Sequence, residues 1–216
     1  MSALTDPLRT EPVPAPPEWH RLSMLLHWLI ALLIAGLATV GLLMVDMANS
    51  PAKIGVYQLH KSIGITVLAL VALRLLWRLA TRAPAPVAGL PAWQRIAASA
   101  MHFALYAMML LIPLSGWLFN SAANFPLKWF GLIKLPALSG PDPALKAWAQ
   151  AVHVYGFYVL AALVLLHAAA AVKHHWIDHN ATLARMLPRG WLRDPSTPPI
   201  ALSALHSIPT DPDPMP

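Results

Sequence analysis

The 216 residues contain no cysteine. That absence excludes disulfides, iron–sulfur ligation, thiolate redox chemistry and covalent haem attachment through a C-x-x-C-H motif. Any redox cofactor must therefore be held by His or Met. Charge is also scarce: charged residues make up 11% of the chain against 57% apolar ones, a balance that excludes a soluble core and places the chain in the membrane class. The net charge is +6, but no basic cluster is interleaved with polar or base-stacking residues, so nucleic acid is not a partner. A short basic leader followed by a brief apolar core is missing too. The first apolar run is too long for a signal peptide and is expected to remain as a span.

What is present are four runs of the length that crosses a bilayer, roughly 20 residues each. Leu22 to Val45 makes the first, with His20 just outside and His27 inside. The second runs from about Ile54 to Ala80 after a loop marked by Pro51 and Gly55, and it carries His60, Arg74 and Arg78. The third lies within Ile96 to Phe119, bearing His102 and a kink at Pro113. The fourth, Ala147 to Val172, is free of charge and carries His153 and His167 before the sequence Lys173, His174, His175, Trp176. Asn120 to Gln150 reads as the longest loop, with Trp129 and Trp148 suited to an interfacial aromatic belt. Prolines crowd residues 1–20 and 189–216, which read as a disordered leader and tail around a four-span domain over 21–188. No internal repeat is evident.

An even number of spans puts both termini on one side. Lys and Arg favour that side ten to five: Arg9, Arg21, Arg74, Arg78, Arg82, Arg95, Lys173, Arg185, Arg189 and Arg193 against Lys53, Lys61, Lys128, Lys134 and Lys146. Both termini are therefore expected in the cytoplasm.

The histidines then sort by depth. His153 and His167 are fourteen residues apart, nearly four turns, so they face one way at levels ~21 Å apart. His27 lies six residues beyond Arg21 and His167 six before Lys173, whereas His60 lies seven beyond Lys53 and His153 seven beyond Lys146. The pairs predicted are His27 with His167 and His60 with His153, each able to hold one haem iron by two axial nitrogens. A lone intramembrane His is commonly a satisfied polar group, but four at two matched depths are costly without a cofactor. Gly64, Gly156 and the alanines at 168–171 offer room beside the ligands. Arg74 sits at the His27 and His167 level, either as a propionate partner or as a snorkelling anchor. His102 has no matched partner and reads as structural or as a quinone or propionate contact. His174, His175 and His179 read as a solvated, lipid-facing cap, and the imidazole pair beside Lys173 could also serve quinone protonation. Met24, Met44, Met47, Met108 and Met109 read as packing.

The motifs R-L-S-M-L-L-H-W, L-H-K-S-I-G, V-A-L-R-L-L-W-R-L, A-M-H-F-A-L-Y, V-H-V-Y-G-F-Y and L-L-H-A-A-A-A-V-K-H-H-W, closed by N-A-T-L-A-R-M-L-P, together resemble the bacterial cytochrome b561 family. That family is similar in turn to the cytochrome b subunits of nickel-iron hydrogenases. The resemblance covers about Arg21 to Pro188. It implies an all-α, four-helix transmembrane bundle holding two b-type haems in the inner membrane, with ubiquinone as acceptor and, for some members, superoxide as donor. Its haem ligands fall on His27, His60, His153 and His167. The expected function is a one-electron wire from a periplasmic donor, superoxide or another, to ubiquinone. The lysines of the donor face could concentrate a small anion, although solvated loop charge explains them as well. An alternative is a haem-carrying membrane anchor that relays electrons between a dedicated protein partner and the quinone pool. A histidine-relay transporter is disfavoured, because repeated halves and broken helices are not seen.

Overall fold

The computed structural model describes residues 19–81, 84–85, 90–188, 190–192 and 195. The leader over 1–18, most of the tail and the positions of Arg9, Arg82, Arg189 and Arg193 lie outside the described residues.

Four long helices dominate: α1 (Arg21–Asp46), α2 (Pro51–Ala80), α3 (Ala92–Ala122) and α4 (Pro143–Trp176). Each is long and apolar enough to cross a membrane. Local chemistry sets their ends further out than hydropathy suggests. Ser50 caps α2 by accepting from Lys53 N at 3.3 Å, with Pro51 in the first turn, where a missing N–H costs nothing. Pro51 and Gly55 thus belong to the helix and not to the loop expected there. Asp142 does the same for α4, its carboxylate accepting from Ala144 N at 2.9 Å and Leu145 N at 3.0 Å, with Pro143 following. The reach of the expected loop from Asn120 to Gln150 therefore shrinks to residues 123–142. Within it lies an element that hydropathy did not foresee, a two-stranded antiparallel hairpin of β1 (Lys128–Trp129) and β2 (Ile133–Lys134). The architecture is otherwise helical, as expected.

Close packing runs from α1 to α2, from α2 to α3 and from α3 to α4. The core is narrow. Ile30 of α1 meets Val67 and Val71 of α2, with Tyr106, Met109 and Leu110 of α3 against them. Most other large apolar side chains, such as Leu32, Leu43, Leu76 and Leu165, point outward, as helices in lipid require. Pro113 lies inside α3 without ending it. After α4 the chain turns back beneath the bundle, where the Trp28 indole N–H donates to the Met186 carbonyl at 2.8 Å.

Candidate functional site

The bundle brings together both histidine pairs that depth matching selects. The rings of His27 and His167 have centroids 6.2 Å apart, and those of His60 and His153 are also 6.2 Å apart. In each pair the ring planes are close to perpendicular, at 82° and 74°. This spacing has chemical meaning. A ring nitrogen lies about 1.1 Å from its centroid and bonds a metal at about 2.0 Å, so two imidazoles on opposite sides of one atom have centroids roughly 6.2 Å apart. The pairs join α1 to α4 and α2 to α4, which are not the helices in closest contact. All four rings are half-buried.

Packing around His153 fixes its tautomer. Its Nδ1–H donates to the Ile112 carbonyl at 2.9 Å, an oxygen that also accepts from Ser115 Oγ at 2.7 Å. Nε2 is thereby left as the lone-pair nitrogen, the arrangement by which a backbone carbonyl orients a metal-binding histidine. Gly116 makes this close approach feasible, since a Cβ there would meet His153 Cε1 and Nδ1 at 3.0 Å. Gly41 stands in the same relation to His60, whose Cε1 would be 3.3 Å from a Cβ. His60 Nδ1, on the Gly41 side of the ring, is buried and has no hydrogen-bond partner among the described residues. Of the glycines singled out from sequence, Gly64 has open space where a Cβ would stand, the room expected there, whereas Gly156 accommodates Ile112. Gly41 and Gly116, which abut the rings, sit on other helices than the histidines they serve, so no spacing rule along one helix could find them.

Arg74 does not snorkel. Its Nε–H donates to Tyr106 Oη at 3.0 Å and its Nη1 to the Ser23 carbonyl, so the half-buried guanidinium ties α1, α2 and α3 together near His27. The interfacial-anchor reading is therefore replaced by an inward one. His102 does find neighbours at its level: its ring centroid lies 5.4 Å from that of His167. Its Nδ1–H donates to the Ala98 carbonyl of its own helix at 2.7 Å, the structural bond expected for it.

The surface cap at the end of α4 is more ordered than a solvated cap. Lys173 Nζ bonds both Asp178 oxygens at 2.8 Å, and His174 Nδ1–H donates to the same carboxylate at 2.7 Å. These bonds, that from Lys173 foremost, hold the Asp178 carboxyl below its ordinary range. His175 is buried, and its Nδ1 is without a partner among the described residues. His179 lies beyond the helix with a positive φ of 46°.

The lysines of the opposite end divide. Lys53 closes the end of α1 by donating to the Met47 carbonyl at 2.7 Å, and Lys61 donates to Asn120 Oδ1 at 3.2 Å. These two are built into the bundle, contrary to a uniform reading as solvated loop charge. Lys128, Lys134 and Lys146 are exposed. Trp148 is exposed as a belt residue should be, but the Trp129 indole N–H is turned inward and donates to Thr66 Oγ1 at 3.0 Å.

A family model described as prokaryotic cytochrome b561 matches residues 18–189. The chain is similar to cytochrome b561 homolog 2 of Escherichia coli strain K12, with 35% identity over 176 residues that cover 80% of this chain and 92% of the relative. It is 31% identical over 177 residues to cytochrome b561 homolog 1 of the same strain, covering 80% of this chain and 98% of that one. A probable superoxide oxidase CybB of Yersinia pestis is more distant, at 27% over 173 residues, or 80% and 97% of the two chains.

Proposed function

The chain belongs to the prokaryotic cytochrome b561 family, and on that premise we propose that it is a dihaem electron carrier of the inner membrane, moving single electrons from a periplasmic donor to ubiquinone. The unit responsible is the four-span domain over 21–188, with residues 1–20 and 189–216 as flanking segments. Both termini face the cytoplasm, the orientation that the Lys and Arg distribution favours. One haem b is held by His60 and His153 near the periplasm and the other by His27 and His167 near the cytoplasm. The observation that supports this most is the pair of 6.2 Å centroid separations, reached twice by histidines from different helices.

When bound, haem supplies a one-electron iron couple at each level. The chain's own groups do the rest. Ile112 and Gly116 hold His153 in the tautomer that presents Nε2. Arg74 supplies positive charge at the cytoplasmic level and would hold a haem propionate there. Lys173, His174 and His175, together with His102, would supply protons for quinone reduction, each quinone taking up two protons and two electrons, the latter from two superoxide anions oxidised to dioxygen, to leave as quinol. Superoxide is the donor favoured, because the distant relative from Yersinia pestis carries that name and an anion suits a lysine-bearing face.

The test is a reduced-minus-oxidised spectrum with pyridine haemochrome quantification on purified protein, followed by superoxide-driven reduction of ubiquinone. Two low-spin b haems per chain and quinol formation are expected. One haem or none would overturn the pairing, and two haems without superoxide-dependent reduction would leave the carrier and remove that donor.

A further inference from the structure

The segment between α3 and α4 does not float above the bundle. Its hairpin is bound to the flank of α2, where Phe130 N–H donates to Ser62 Oγ at 2.9 Å and the Trp129 indole to Thr66 Oγ1 at 3.0 Å. These anchor points are deep. Ser62 and Thr66 lie eleven and fifteen residues from Pro51, about 16 and 22 Å along α2, a helix of about 45 Å. With a hydrocarbon core of about 30 Å centred on that helix, both hydroxyls fall roughly 9–15 Å inside its boundary.

The hairpin carries the chemistry such a position demands. Its turn is made by Phe130 and Gly131 at positive φ, 48° and 75°, and it is held by Leu132 N–H donating to the Trp129 carbonyl at 2.9 Å. Thus Ser62 takes up the Phe130 N–H and the turn itself the Leu132 N–H, two of the backbone groups that non-helical chain at membrane depth must satisfy. The side chains at the tip are apolar and point away from the bundle: Phe130, Leu132 and Ile133 are 49%, 81% and 53% exposed. At the base, Lys128 and Lys134 face each other in register, the Lys128 carbonyl accepting from Ser62 Oγ at 3.4 Å, so that their long stems carry the two ammonium groups outward toward the headgroups.

We propose that this hairpin is a re-entrant element, with Phe130, Leu132 and Ile133 immersed in the acyl chains of the leaflet on the His60 side and the Lys128 and Lys134 ammonium groups directed toward its headgroups. It closes the lipid side of the bundle beside His60 and Lys61. The inference stands on the membrane fold alone and does not depend on which cofactor the histidines hold.

The absence of cysteine makes the test direct. Leu132→Cys and, as a second site, Ile133→Cys are labelled with an environment-sensitive nitrobenzoxadiazole dye in phosphatidylcholine–phosphatidylglycerol vesicles. Asn49→Cys in the loop between α1 and α2 serves as the reference. Mid-chain doxyl-labelled lipid should lower emission from either hairpin site by about twofold or more, with iodide quenching several-fold weaker than at Asn49, as for a group roughly 9–15 Å inside the hydrocarbon boundary. Iodide quenching equal to that at Asn49, without doxyl quenching, would overturn the proposal and return the tip to water as a surface for a protein partner.

Discussion

Gly116 and His153 touch across the α3–α4 interface so closely that a single methyl group would crowd the ring, since a Cβ at Gly116 would stand 3.0 Å from two ring atoms of the histidine. A ring so confined, with its Nδ1–H given to Ile112, has one orientation open to it.

Gly116→Ala should therefore displace His153 and weaken cofactor binding at that level alone, by about 10- to 100-fold, as for the loss of an orienting partner. Pyridine haemochrome titration should fall from two haems toward one per chain. Gly36→Ala, at an exposed position of α1 with nothing near the added Cβ, should keep both. Equal haem content in both variants would contradict the account of His153.

The histidine pairs make separate predictions. His60→Ala and His153→Ala should each lose the same haem, His27→Ala and His167→Ala the other, and the double variants within a pair should resemble the single ones. His102→Ala should keep both. Its centroid lies 5.4 Å from that of His167, short of the roughly 6.2 Å that two rings need around one metal atom. Loss of a haem in His102→Ala would reassign the cytoplasmic pair.

Arg74 places a guanidinium beside the His27 level, bonded to Tyr106 and to Ser23. A positive charge favours the reduced iron. Arg74→Gln should lower the midpoint potential of that haem by on the order of 50 mV, the effect of a unit charge at about 12 Å through an effective dielectric near 20. Arg74→Lys should keep most of it. Potentiometric titration with unchanged values in Arg74→Gln would remove the charge from the mechanism.

Asp178 links the end of α4 to pH. Its carboxyl is held below the ordinary value of 3.8 by Lys173 first and His174 second. A carboxyl depressed in the folded state adds stability above its ordinary value and loses it as pH falls through the folded value. The wild type should accordingly be slightly more heat-stable than Asp178→Asn near neutral pH, with the difference vanishing in strong acid. The group is exposed, so the effect is small and salt-sensitive. Melting curves that stay parallel across the acid range would show that these bonds contribute nothing.

Much of the site was legible because a membrane helix converts sequence spacing directly into depth. Counting from Arg21, Lys53, Lys146 and Lys173 was enough to pair His27 with His167 and His60 with His153. The same counting misjudged residues whose role depends on a neighbour. Arg74 reads equally as an anchor or a bundle residue until Tyr106 and Ser23 are seen beside it. Gly64 is legible as a gap because it shares a helix with His60, but Gly41 on α1, which abuts that ring, is not.

By itself the sequence determined four spans, the two histidine levels and the exclusion of thiol chemistry, because apolar length, helical rise and the absence of cysteine act within one stretch of chain. Only the tertiary structure decided which faces meet: the Gly116–His153 contact, the inward turn of Arg74, the ordered end of α4 and the hairpin seated on Ser62 and Thr66. These arise from contacts between residues far apart in the chain. In lipid, where every helix is apolar all round, the hydrophobic pattern does not say which side turns inward; close packing and satisfied polar groups do.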